Sequence, residues 1–190
     1  MQAAGGADPL TPRRGAAIWV LAIASFVLAV DQLTKVRAVS SLQPGVPSHA
    51  FGPVWWTLQR NPGAAFSFLT RVPWLFTVIA IAIVAVILVR LRSFSGGLQG
   101  IAVGLVLGGA LGNLADRLFR APGPFRGHVV DFVDLRWWPV FNVADSCIVV
   151  GAALLILASW RRDVRERRER EAAAREGDAR DPSPPEPRDA

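Results

Sequence analysis

The sequence predicts an all-α membrane protein of four transmembrane helices, with a small β-containing loop region on the extracytoplasmic side. Three observations predict it. Of the 190 residues, 52% are hydrophobic, and the mean hydropathy is +0.34, the balance of an integral membrane protein. Four apolar stretches each approach the roughly 20 helical residues that cross a bilayer core about 30 Å thick. Acids are nearly excluded: residues 1–160 contain no Glu and only Asp8, Asp31, Asp116, Asp131, Asp134 and Asp145.

The first stretch, residues 16–33, follows Arg13 and Arg14. It reads as a retained helix, because no small-residue cleavage site is evident and three more spans follow. The second is 72–89, the third 98–115 and the fourth 140–160. In the third, Gly100, Gly104, Gly108 and Gly112 recur at every fourth position. They form a smooth strip that admits another helix backbone, or leaves room for a substrate helix. Between the first two spans, Val54-Trp55-Trp56-Thr57-Leu58 is β-prone and lies among Pro and Gly signals, which predicts a small sheet at the membrane surface. Trp55, Trp56, Trp74, Trp137 and Trp138 fit an interfacial aromatic belt. The organisation is therefore a lead (1–15), a membrane domain (16–160) and a tail (161–190). The tail begins as a charged helix and ends in a Pro-containing segment of disordered composition.

The net charge is +6, and residues 161–190 contribute nothing to it, with nine Arg against nine acids. Arg13 and Arg14, Arg90 and Arg92, and the Arg cluster after residue 160 all fall on one side of a four-span bundle. The positive-inside rule makes that side cytoplasmic, together with both termini. The loops at 34–71 and 116–139 then face outward, although they also carry Lys35, Arg37, Arg60, Arg71, Arg117, Arg120, Arg126 and Arg136. Arg residues there suit pairing with the Asp residues or with lipid phosphates. Anionic membrane lipids are the expected partners of the basic balance. The Arg residues flank apolar runs and form no stripe, so nucleic acid is not expected, and a monomer is. Cys147 is the only Cys, so no internal disulfide is possible.

This topology brings five Asp residues to one membrane face, where carboxylates are costly and so point to chemistry. Asp31 closes the first span, as a plain boundary or as support for a site. Asn113, Asp116 and Arg117 share a face at the end of the third. Asp116 beside Arg117 reads as an ion pair or cap. Asp131 and Asp134 follow, with Asp134 expected to be a solvated loop residue. Asn142 and Asp145 open the fourth span. No His-Glu-x-x-His pattern or Cys pair is present; carboxylates alone would suit a hard cation such as Mg²⁺, a reading with weak support, and no metal or cofactor is expected. Ser67 and Ser146 lack the Gly-x-Ser-x-Gly frame of a serine hydrolase. Paired carboxylates remain: two held close share a proton, and together they can hydrolyse a peptide bond. On spacing alone Asp116 with Asp145 is as reasonable a pair as Asp131 with Asp145.

Five blocks go further: Asp31-Gln-Leu-Thr-Lys35, Asn61-Pro-Gly-Ala-Ala-Phe-Ser67, Gly108-Gly-Ala-Leu-Gly-Asn-Leu-Ala-Asp-Arg117, His128-Val-Val-Asp-Phe132 and Phe141-Asn-Val-Ala-Asp-Ser146. In these, over residues 16–160, the sequence resembles the bacterial lipoprotein signal peptidases (signal peptidase II). The resemblance implies a membrane aspartyl endopeptidase that cleaves diacylglyceryl-modified prolipoproteins before the lipid-bearing Cys. It implies Asp131 and Asp145 as the catalytic pair. It implies Asp31, Asn61, Asn113, Asp116, Arg117 and Asn142 as residues that line or support the pocket. The sequence departs from the family pattern at Pro62, which restricts Asn61 to extended geometry, and at a longer connection through Ala121-Pro-Gly-Pro124. A small proton- or cation-handling transport subunit is the alternative, although its charges would be spread through the membrane depth. A scaffold built on the glycine strip is a third reading.

Overall fold

Helix α1 (Arg14–Ser41) organises the first of the two compact units, Met1–Leu155 and Ile156–Ala190, of the computed structural model. The structure describes residues 14–63, 73–94 and 96–180. Asp8 and most of the expected lead, the stretch 64–72 with Ser67, and the expected disordered end 181–190 lie outside the described residues. Along α1 the buried residues are Ala16, Val20, Ala24, Val27, Asp31, Lys35 and Ala38. They recur every three or four positions and form one stripe, as a helix packed along a single seam requires. The opposite face shows Ile18, Trp19, Phe26 and Leu33 outward, the disposition of a helix bathed in lipid. The helix runs past the expected end at Leu33, because Asp31 and Lys35 are both buried and paired rather than marking a boundary.

The seam faces α3 (Leu98–Phe119). A methyl placed on Gly108 would lie 2.7 Å from the Ala24 carbonyl oxygen, and one on Gly104 would lie 3.1 Å from that of Val20. The glycine strip is therefore filled by α1, and no substrate helix can lie along this part of it. On the neighbouring face of α3, Gly109 meets the Ala144 carbonyl of α4 (Val143–Arg180), so α3 is clamped on two sides. Gly108→Ala is expected to cost about 1–3 kcal/mol through overpacking against main chain. A lower midpoint of thermal unfolding in detergent checks this.

Helix α2 (Pro73–Val89) opens on Pro73, suited to a first helical position. It is the short member: three helices, Gly15–Ser41, Leu98–Phe119 and Val143–Ala173, are long and apolar enough to cross a membrane among the described residues, whereas the α2 stretch Trp74–Val89 is a shorter apolar helix. The protein is thus mostly helical, with three to four apolar helices and a small sheet.

That sheet is antiparallel, in the order β1 (Ser48–Phe51), β2 (Val54–Asn61), β3 (Val129–Asp134). The β-prone run 54–58 forms β2 as expected. Strand β3 lies in the stretch 116–139 that the sequence predicts as a loop. Its six residues are four apolar and two acidic, and their hydrogen-bond partners lie far upstream on β2, with Gln59 opposite Asp131. Leu58, Val130 and Phe132 pack with Ala38 of α1, so the overhanging end of α1 supports the sheet. Trp56, half-buried against Phe132 with ring centroids 6.2 Å apart, belongs to this packing more than to an outer belt.

In the second unit, residues 156–180 are helical, with the exposed i,i+4 pair Arg165–Glu169 at 2.7 Å. The expected charged helix is present, and such exposed pairs add little stability.

Candidate active site

Two backbone arrangements bring Asp131 and Asp145 to one place. Phe141 pairs with Val133, its N–H donating to the Val133 carbonyl at 3.0 Å, which draws the start of α4 alongside β3. Asn142 then caps α4. Its Oδ1 accepts from the Asp145 N–H at 2.9 Å, and Asp145 Oδ2 accepts from the Asn142 N–H at 3.2 Å. This is a capping box with an Asn and an Asp in its two places. Asp145 therefore holds its position by closing a helix end. Both carboxylates line one cleft of about 830 Å³, with Gln59, Asn61, Phe76, Arg117 and Trp138.

Three asparagines deliver N–H donors to the pair, and the orientation of each is forced from its other side. Asn142 Oδ1 is occupied by the Asp145 N–H, so its Nδ2 donates to Asp131 Oδ1 at 2.7 Å. Asn61 Oδ1 accepts from the Gly63 N–H at 2.8 Å, which turns its Nδ2 to Asp131 Oδ2 at 2.9 Å. Asn61 ends β2 in the extended geometry expected before Pro62. Asn113 Oδ1 accepts from Lys35 Nζ at 3.0 Å, so its Nδ2 donates to Asp145 Oδ1 at 2.8 Å. An ammonium has donors only, so the facing atom of Asn113 must be oxygen. Each of the four carboxylate oxygens thus accepts one N–H, and none of these donors carries charge.

Asp31 and Asp116 are treated differently. Lys35 Nζ lies 2.8 Å from Asp31 Oδ2 and 2.9 Å from Asp116 Oδ2, with all three side chains fully buried. Together with Asn113 these are three acceptors for three ammonium protons, an arrangement that a planar guanidinium does not match. Arg120 Nε reaches Asp116 Oδ1 at 2.6 Å, so two cations balance two carboxylates. Asp116 also accepts from the Val130 N–H at 3.1 Å, and Asp31 accepts from the Ala144 N–H at 3.0 Å, in the electropositive first turn of α4. Gln32 Nε2 joins the two carboxylates. This cluster ties α1, α3, α4 and β3 together directly beneath the pair, and no buried side-chain polar atom among the described residues lacks a partner.

The expected Asp116–Arg117 pair is not formed; the partners of Asp116 are Lys35 and Arg120. Arg117 instead extends over the Phe76 ring, 5.6 Å from its centroid, and its charge faces Asp131 and Asp145. Asp134 is not solvated as expected. It is 6% exposed and accepts from Thr57 Oγ1 at 2.8 Å and from the Arg136 N–H at 2.7 Å. Burial alone would raise its pKa, but these donors and the Arg136 charge hold the carboxyl below its usual range. For Asp131 the balance is opposite. Burial, and then the negative charge of Asp145, push its pKa up to about 7, against the smaller pull of the two amides. Sequence reasoning missed Lys35 and Gln32, whereas the Arg120–Asp116 pair is of the kind expected of the outer Arg residues. The signal for Lys35 was present: it is the sole Lys among 21 basic residues, four positions after Asp31.

An apolar helical bundle capped by a small sheet, with carboxylates gathered in a cleft where the two meet, is the layout of a membrane-embedded aspartic peptidase. The family model for signal peptidase (SPase) II matches residues 23–161, and the chain belongs to that family. It is 52% identical over 141 residues to the lipoprotein signal peptidase of Mycobacterium avium (strain 104), covering 74% of this chain and 78% of that one. It is 51% identical over 151 residues to that of Rhodococcus jostii (strain RHA1), covering 79% and 75%. Among solved structures, a bacterial membrane enzyme determined by the in meso method at 2.3 Å resolution superposes with a TM-score of 0.67 at 30% identity, covering 78% of this chain and 90% of that one. The transport reading finds no support in these relatives.

Proposed function

We propose that Asp131 and Asp145 are the catalytic pair of this signal peptidase II, which removes the signal peptide from diacylglyceryl-modified prolipoproteins. One observation carries the assignment. These two carboxylates share an open cleft and are held by neutral amides, whereas Asp31 and Asp116 are neutralised by cations and closed off. A buried pair with no cation bonded to either carboxylate retains one proton near neutral pH. Asp145 takes a proton from water, which attacks the scissile carbonyl. Asp131 in its protonated form polarises that carbonyl and then protonates the leaving amine. Arg117, above Phe76, holds substrate main chain at the cleft. Asn61, Asn113 and Asn142 hold the pair, and Asp31 and Asp116 hold the floor. No metal or cofactor enters this sequence of steps.

The same reading takes four membrane crossings, α2 included, with both termini cytoplasmic and the cleft near the extracytoplasmic face. The Arg pairs and the Arg-rich start of the tail support this orientation. The substrate is itself an apolar helix with a lipid anchor, so the membrane delivers its cleavage site to the depth of the cleft. A monomer suffices, because one chain supplies both carboxylates. The test is a cleavage assay in detergent with a diacylglyceryl-modified prolipoprotein and its unmodified control; equal cleavage of the two would refute the substrate assignment.

A pH dependence follows from Asp131. Cleavage is expected to fall about tenfold per pH unit above about 7, as the pair loses its proton. Stability moves the same way. The folded chain keeps this proton longer than the unfolded chain, so the contribution is complete below 3.8 and lost as pH rises through about 7, a change of about 4 kcal/mol. Unfolding midpoints of the unaltered chain should therefore decline from pH 5 to pH 8, and those of Asp131→Asn should not show this decline.

A further inference from the structure

Strand β3 has two faces, and the cleft uses one. Asp131 turns to the cleft, whereas Val130 and Phe132 turn to the opposite face and pack on the end of α1. On that opposite face lies a second cavity of about 310 Å³. Its walls are the apolar side chains of Ala38, Leu42, Trp56 and Phe132, and its exposed rim is Arg37 and Ser41. The hydroxyls nearby are already committed: Thr34 donates to the Val30 carbonyl at 2.8 Å, and Ser41 donates to that of Arg37. Arg37 is exposed and makes no ion pair among the described residues. Leu33, one turn earlier, and Val36, the preceding residue, stand 69% and 59% exposed on α1. Apolar side chains are thus turned outward just before Arg37, the pattern of a helix leaving hydrocarbon for headgroups.

An apolar hollow with a lone cation at its rim matches an amphiphile with an anionic head. We propose that this cavity binds one acyl chain of an anionic phospholipid, with the lipid phosphate on the Arg37 guanidinium. A soluble anion would leave the apolar walls unused, and a zwitterionic lipid would bring its own cation to the Arg37 charge. The outward loops 34–71 and 116–139 also hold eight basic residues against three acidic ones, which draws anionic lipid to this membrane face. The bound lipid would fill the space between α1 and the sheet and hold the sheet at headgroup level, on the face away from the cleft.

The full-length chain in detergent, titrated with phosphatidylglycerol or phosphatidylcholine bearing brominated acyl chains, tests this. Bromine quenches nearby tryptophan, and the Trp56 signal among seven Trp is the difference between the chain and its Trp56→Phe variant. Saturable quenching of Trp56 is expected, with phosphatidylglycerol bound about five-fold more tightly than phosphatidylcholine. Arg37→Gln should equalise the two lipids, and Ala38→Phe, which fills the cavity, should remove quenching by both. Arg37 is an exposed side chain, so its variant decides the matter even if Ala38→Phe fails to fold. Equal affinities in the unaltered chain, or a preference that survives Arg37→Gln, overturn the proposal. Displacement of the brominated lipid by a stoichiometric diacylglyceryl-modified peptide also overturns it, by giving the cavity to the substrate.

Discussion

Asp131→Asn and Asp145→Asn should each slow cleavage of a diacylglyceryl-modified prolipoprotein by about 10²–10⁴-fold while the chain remains folded. The size follows from the roles: each substitution removes a group that must take or give a proton, and an amide does neither. The shape is kept, but one polar relation is reversed. Asp131 accepts from Asn61 and Asn142, and Asp145 from Asn113 and the Asn142 N–H. An Asn at either position sets one N–H against another, at about 1–3 kcal/mol. Asp134→Asn is the control, since Asp134 is also buried and hydrogen-bonded but lies outside the cleft lining. It should cleave nearly as the unaltered chain does. Either Asp variant cleaving at the unaltered rate removes that residue from the pair.

Lys35→Met should be the most destabilising single change. It leaves Asp31 and Asp116 facing one another without their shared ammonium, in a site with no solvent exposure. Loss of one partner from a buried ion cluster costs about 3–5 kcal/mol, or on the order of 10 °C in the unfolding midpoint of a chain this size. Adding Asp31→Asn should recover part of the loss, because one uncompensated charge is removed. A midpoint in Lys35→Met within a degree or two of the unaltered chain would show that the ammonium is dispensable. A second effect belongs to catalysis. Without Lys35 nothing forces the Asn113 amide to present its N–H to Asp145, so kcat should fall more than KM rises. Lys35→Arg is not expected to substitute, since a planar fork cannot meet three converging acceptors.

The apolar spans, the strand at 54–58 and the polar cluster were legible because each is written in local composition. Residues that act across the chain were harder. Strand β3 reads as a loop, because it is short, carries Asp131 and Asp134, and finds its partners on β2 rather than in a neighbouring turn. Asp134 looks solvated until Thr57 and Arg136 are placed beside it. Asp116 precedes Arg117 in sequence, yet consecutive helix residues point in different directions, and its partners come from Lys35 on α1 and Arg120 one turn on. Lys35 itself reads only as one of several basic residues in an outward loop. A lone Lys in an Arg-rich chain, four residues from an Asp, is better read as a position that needs three protons on a point. The choice of Asp131 over Asp116 came from motif resemblance. The geometry offers a physical reason for the same choice, in the cations bonded to Asp116 and not to Asp131.

The continuous stripe of α1 has a consequence for the membrane around the protein. One continuous helix carries the outward residues Ile18 and Phe26, the seam against Gly104 and Gly108, the Asp31–Lys35 pair, and the support of the sheet at Ala38. A bilayer thinner or thicker than its apolar length makes such a helix tilt. Tilt at one end of this rod moves the floor of the cleft at the other. Turnover measured in reconstituted vesicles is therefore expected to depend on acyl-chain length, through mechanical leverage with no ligand bound at the cleft.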